Sequence, residues 1–280
     1  MKIFISALLI FLIQPLNAQY YYKDIITTQE TTRQFVILKT NKVQSVKATG
    51  YDTKGVADPH FSEVQQMLDG KNALMISTKN EFTSPSYMIQ EFDSNNRLIR
   101  LTDSATDFKS TTNYRYDNAG KIAEMKNISK DSSSPINNIE IHKWIYNVSG
   151  NPVKMLRIIN STDTLEVKFT VDKNGNVLDE QPFKHGKAGE ITYYYYDDNN
   201  RLTDIVRFNK KIGKLMPDYL FEYNENNQVI QKITMLSNFN MGYLIWRYAF
   251  NEKGIKTKEA LFNKDKIMTG KIEYQYTFTQ

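Results

Sequence analysis

Three histidines, His60, His142 and His185, are the residues best suited to proton transfer near neutral pH, and they share no spacing with one another. The chain has no cysteine, so it offers no thiolate nucleophile, no disulfide and no cysteine for lipid attachment. It contains no HExxH, GxSxG, P-loop or dinucleotide fingerprint. Adjacent carboxylates at Asp197 and Asp198 could serve glycoside hydrolysis, which needs two carboxyl groups across a cleft. Asp172, Asn174 and Asn176 resemble the opening of a calcium loop, but Phe183 stands where such a loop needs glutamate. The expectation is a chain that is not an enzyme, with no catalytic, cofactor or metal residues.

Aromatic side chains are the stronger signal, with 18 tyrosines and 15 phenylalanines. Tyr and Trp rings stack on sugars, and their polar tips reach hydroxyl groups. Most of these aromatics alternate along strands, and cross-strand packing accounts for them. Tyr193 and Tyr195 fall on the opposite face from Tyr194 and Tyr196. With Trp246, they are the predicted ligand-binding aromatics.

The elements that would carry these rings repeat along the chain. Tyr114-Arg-Tyr116-Asp117-Asn-Ala-Gly120 recurs as Trp144 to Gly150, Phe169 to Gly175, Tyr194 to Asn200, Phe221 to Asn227 and Tyr248 to Gly254. Gln90 to Asn96 is an upstream copy, and Tyr274-Gln-Tyr276 is a truncated one. The Asp or Asn stands at 93, 117, 147, 172, 197, 224 and 251, so a unit runs to roughly 26 residues, enough for two strands and two turns. Three residues later only Gly or Asn occurs, the types that enter the left-handed region at least cost. An Asx-turn ending in a left-handed residue is a hairpin connection. Asp117, Gly120, Asp172, Gly175, Asp197 and Asn200 are therefore read as structural turn residues.

The Tyr116-Asp117-Asn-Ala-Gly120-Lys-Ile122 and Tyr196-Asp197-Asp-Asn-Asn200-Arg-Leu202 units resemble the YD repeats of the RHS family over roughly residues 87–276. The resemblance implies long β-sheets that curl into spirals or shells. It also implies carbohydrate binding, as in some members, or enclosure of a toxin, as in others. The present units are longer and less uniform, and several carry Asn in place of Asp.

The remaining elements frame the repeats. Lys2, the apolar run Ile3 to Ile13, Pro15 and Ala18 read as a signal peptide over residues 1–18, with the exported chain starting at Gln19. Residues 19–86 read as a cap or small β-rich region. Strands are expected over 35–52, and a short helix near 61–69, where Phe61, Val64, Met67 and Leu68 take helical spacing. Residues 87–280 are the hairpin region. The expected fold is all-β, with tandem antiparallel hairpins forming a twisted, curled sheet and a short N-terminal helix.

The net charge of +5 is dispersed without runs of one sign, which favours solubility and is not a nucleic-acid footprint. No transmembrane segment is expected after signal removal. The expected function is exported and non-catalytic, with a polysaccharide or an envelope protein as partner, in the periplasm, on the cell surface or outside the cell. The alternatives are a scaffold or adhesin assembling through sheet edges, an outer-membrane barrel, and a glycan-cleaving enzyme.

Overall fold

The computed structural model describes residues 20–68, 72–81, 84–210, 212–236 and 242–279. The predicted signal peptide and the start at Gln19 lie outside the described residues. One helix, α1 (Lys23–Thr40), comes first. The strands before the repeats are β1 (Val43–Tyr51), β2 (Ser62–Met67) and β3 (Ala73–Lys79). Next are β4 (Ser86–Phe92), β5 (Leu98–Ala105), β6 (Phe108–Tyr116), β7 (Ile122–Asp131), β8 (Asn138–Tyr146) and β9 (Pro152–Ile159). The middle holds β10 (Asp163–Val171), β11 (Val177–Lys184), β12 (Lys187–Ala188), β13 (Thr192–Tyr196) and β14 (Leu202–Asn209). The last are β15 (Lys214–Tyr223), β16 (Val229–Met235), β17 (Tyr243–Phe250), β18 (Lys256–Phe262) and β19 (Met268–Phe278).

Every pairing is antiparallel, and all but two join neighbours in sequence: β11 also reaches β13 past the short β12, and the other exception defines the fold. β19 pairs with β1, from Val43 opposite Phe278 to Tyr51 opposite Lys271. β11 pairs with both β12 and β13, so those two segments act as one interrupted strand. The result is a closed barrel of 18 strands, an even number, as an antiparallel ring requires. This corrects the expected open, curled sheet. Turn chemistry dictates which neighbours pair, but it is silent on whether the last strand meets the first. Closure removes both exposed edges, which are otherwise costly to leave unpaired.

Each motif forms the hairpin its residues require. Asp117 N–H donates to Lys121 O at 2.8 Å, and Gly120 N–H donates to Asp117 O at 3.0 Å. The Asp117 carboxylate accepts the N–H groups of Ala119 and Lys121. Gly120 has φ 78°, and Asn200 takes the same place with φ 58°. A register shift between Arg115 and Tyr116 marks the bulge that accompanies such a turn. Because the strands alternate in direction, all seven complete motif turns gather at one end of the barrel, the motif rim.

The N-terminal region differs from expectation. Residues 35–40 end α1 instead of beginning a strand, and residues 62–67 are strand β2, not a helix. In β2 the inward face carries Glu63, fully buried, next to Ala48 and Thr78 in register. A buried glutamate breaks the apolar alternation that would have identified the strand. The α1 sequence, rich in Thr and Ile, has little apolar periodicity, because two of its four buried positions are Asp24 and Thr28.

The helix packs against the inner face of the barrel near the motif rim. Its last turns bury Phe35 and Leu38 among Val46, Leu74, Phe92, Leu98, Ile272 and Tyr274. Phe35 lies flat on Phe92, with ring centroids 3.7 Å apart. At the other end, Tyr21 joins Ile122, Trp144, Met155, Phe169, Val177, Tyr194 and Ile205. Inward-facing side chains from both halves of the ring thus converge on one segment, residues 20–40.

Candidate functional site

The alternating aromatics of the motifs point inward and form the core. Tyr194 is buried, with its ring 5.4 Å from Tyr22 in an edge contact, and Trp144 stacks on Phe169 at 5.1 Å. Three of the tyrosines that directly precede a motif turn have a further task. The hydroxyls of Tyr116, Tyr146 and Tyr223 donate to the carbonyls of Leu98, Ile122 and Leu202 at 2.7–2.9 Å. Tyr276 donates likewise to Lys256 O. Each of these tyrosines ties its hairpin to the strand that follows an earlier turn.

The three predicted ligand-binding aromatics are on two sides of the wall. Tyr193 and Tyr195 face outward, and Tyr195 is 47% exposed. Trp246 is opposite Lys232 and Leu261, in phase with inward-facing Tyr248, so it faces the interior. The outer face around the barrel carries ion pairs between strands, such as Arg100–Glu91, Lys154–Glu166 and Lys258–Glu273 at 2.9–3.3 Å. No helix among the described residues is long and apolar enough to cross a membrane.

Inside, ionisable groups dock the N-terminal segment. Asp24 of α1 meets His142 Nδ1 at 2.5 Å, while His142 Nε2 meets Glu140 at 2.8 Å. Arg157 adds two contacts to Glu140, at 2.7 and 3.1 Å. Burial works against a charged His142, but the Asp24 and Glu140 carboxylates outweigh it and raise the imidazole to about 9. Burial likewise works against a charged Glu140, yet His142 and Arg157 hold it down to about 2. The Glu180 carboxylate accepts the N–H groups of Tyr21 and Tyr22 at 2.6 and 2.8 Å, a favourable place for an anion at a helix start. Burial nevertheless raises Glu180 to about 7. A second buried group joins Glu63, Glu259, Lys256 and Tyr274; burial raises Glu63 to about 7, and Lys256 Nζ is 2.9 Å from Glu259. Among the described residues no cluster of His, Cys, Asp or Glu is placed to hold a metal ion.

Sequence spacing ties His142 to neither of the other two histidines. Its spacing from Glu140, two residues away on one strand face, was the available signal. The partners Asp24 and Arg157 are distant in sequence and could not be paired with it. His60 is exposed in the loop after β1, and His185 occupies a hairpin turn with φ 49°.

The motif rim is a chain of polar contacts running from turn to turn. Lys121 Nζ donates to Gly150 O, Asn176 to the Asn200 side chain, and Gln228 to Gly254 O. Asn72 donates to Asp93 O, and Lys39 from α1 reaches both Asn72 and Asn96 at 2.8 Å. The residue after the left-handed position also covers the next tyrosine: Arg97 is 4.8 Å from the Tyr116 ring centre, and Arg201 is 4.9 Å from that of Tyr223. The carboxylates of Asp172 and Asp197 are occupied by their own turns, Asp172 accepting the N–H of Asn174 and Asn176 and Asp197 that of Asn199 and Arg201. Gly175 completes its turn with φ 87°. Between the turns at 197–201 and 224–228 the rim opens into a cavity of about 580 Å³, lined by Asn199, Arg201, Tyr223, Asn224, Glu225 and Asn227.

No family model matches the chain. A 72-residue stretch is 31% identical to the ribosomal protein L11 methyltransferase of Enterococcus faecalis, covering 25% of this chain and 23% of that protein. Among solved structures, the Photorhabdus luminescens Tc holotoxin pore aligns over 77% of this chain but 11% of its own, with 14% identity and a TM-score of 0.34. A porin-like protein from Bacteroides uniformis aligns over 84% of this chain and 98% of its own, with 9% identity and a TM-score of 0.44.

Proposed function

We propose that the chain is an exported cell-envelope protein that acts by binding, not catalysis, and takes a polysaccharide or an envelope protein on its motif rim or outer wall. One observation supports this reading above the others. The inward face, where the aromatics and most of the perturbed ionisable groups converge, is packed against residues 20–40. Those groups hold the helix in place, while the rim and the outer tyrosines Tyr193 and Tyr195 are left facing solvent. Of the adjacent carboxylates Asp197 and Asp198, Asp197 is committed to its own turn and to Arg201, which leaves it no part in a carboxylate pair for glycan cleavage. Among the described strands the first and last pair with each other, which leaves no sheet edge there for assembly. The resemblance of the turn units to YD repeats is in keeping with this reading, because the turn residues here keep that unit's order.

A glycan array followed by calorimetry on the purified chain tests the proposal. Binding to at least one glycan class is the expected result. Failure on every glycan, together with capture of a defined envelope protein at the rim, would replace the sugar version with the protein version.

A further inference from the structure

We infer that the rim cavity between the 197–201 and 224–228 turns is a subsite for one neutral sugar residue of a glycan, an inference that rests on the binding role proposed above. It is a notch open to solvent, with about 580 Å³ of space between the two turns and a polar lining. The floor is rigid. Arg201 is held by Asp197 at 2.7 Å, by Asn224 O at 2.9 Å and by Asn227 Oδ1 at 3.2 Å, with its plane over the Tyr223 ring. Arg33 of α1 fixes the Asn227 carbonyl from behind at 2.9 Å. Groups already held in place lose little freedom when a ligand arrives.

The mouth is left uncommitted. The side-chain amide of Asn199 and the carboxylate of Glu225 engage no other side chain among the described residues. An amide both donates and accepts, a carboxylate accepts, and a sugar hydroxyl can do either, so the set matches a polyhydroxylated ligand. The local charge selects among such ligands. Arg201 is neutralised by Asp197, whereas Asp198 and Glu225 are exposed beside the opening. An acidic sugar, phosphate or sulfate would meet repulsion there, despite the net positive charge of the whole chain.

The test is calorimetry on the full chain with cellohexaose, maltohexaose and xylohexaose, and with hexagalacturonate as the acidic probe. The expected result is binding of at least one neutral hexaose, with the acidic probe weaker by about tenfold or more. The double variant Asn199→Ala, Glu225→Ala should lose about tenfold in affinity for the neutral sugar, with circular dichroism and melting temperature unchanged. Neutral binding that the double variant leaves intact would place the sugar elsewhere, overturning this subsite while the binding role stands. Preference for hexagalacturonate would overturn the charge argument and with it the assignment. No binding of any of the four probes would overturn the subsite, while the sugar version of the role stands or falls on the full array.

Discussion

The buried ionisable residues make the barrel's stability depend on pH in a definite direction. Glu63 and Glu180 are both raised from 4.5 to about 7 by burial. A carboxyl with a raised folded value favours the folded state while protonated, so its contribution fades as pH climbs from 4.5 through 7. His142 is raised from 6.5 to about 9, so its contribution is whole below 6.5 and is lost as pH passes 9. Glu140, held at about 2, works the other way and is lost only as pH falls below 4.5. The urea midpoint should therefore peak at about pH 5 and decline steadily toward pH 9; a profile that rises from pH 5 to 8 would contradict these assignments. His142→Leu leaves the buried Asp24 carboxylate without its partner, which should cost roughly 3–5 kcal/mol in urea titrations. Adding Asp24→Asn to that variant should recover part of the loss, because the stranded carboxylate is gone.

At the scale of single elements, the hairpin and its tyrosine form the working unit. Phenylalanine in place of Tyr116, Tyr146 or Tyr223 removes one hydroxyl-to-carbonyl bond and should cost about 1 kcal/mol each. Tyr223 lies apart from the other two, so its effect should add to either, whereas Tyr146 bonds to Ile122, the register partner of Tyr116, and that pair should couple. Phe35→Ala opens a hole beneath the flat contact with Phe92 and should cost about 3–5 kcal/mol, read from the shift in melting temperature. The turns were legible because their constraint is local: a left-handed backbone admits Gly or Asn at little cost, and the sequence shows it at seven positions. The helix and β2 were not, because their buried faces carry Asp24, Thr28 and Glu63. Those side chains read as solvent-facing until their partners on other strands are known. Trp246 is two residues from Tyr248, a motif aromatic, so it shares that residue's inward face, while Tyr193 and Tyr195 keep the outer one.

For the whole molecule, the seam between β1 and β19 is the feature that sequence could not supply, since it joins segments more than two hundred residues apart. Proline at Ala48, in the middle of β1, should disrupt that ladder and expose two strand edges. Sedimentation should show the parent chain unchanged in size with rising concentration and the variant self-associating; a variant that remains a monomer would mean the seam contributes little to closure. The rim cavity was hidden in the same way. Asn199 and Glu225 sit in adjacent copies of the repeat, and only the curvature of the ring decides how far apart adjacent copies stand. Closure also sets a rule for copy number. A ring of antiparallel strands can grow or shrink only by whole hairpins, and each one changes the perimeter by about 9.6 Å. The helix has a length of its own, about 27 Å. With one end anchored at Glu180 and the other at Asn72 and Asn96, it acts as a gauge: a chain that gained a repeat by duplication would still join end to end, but its strut would no longer reach across.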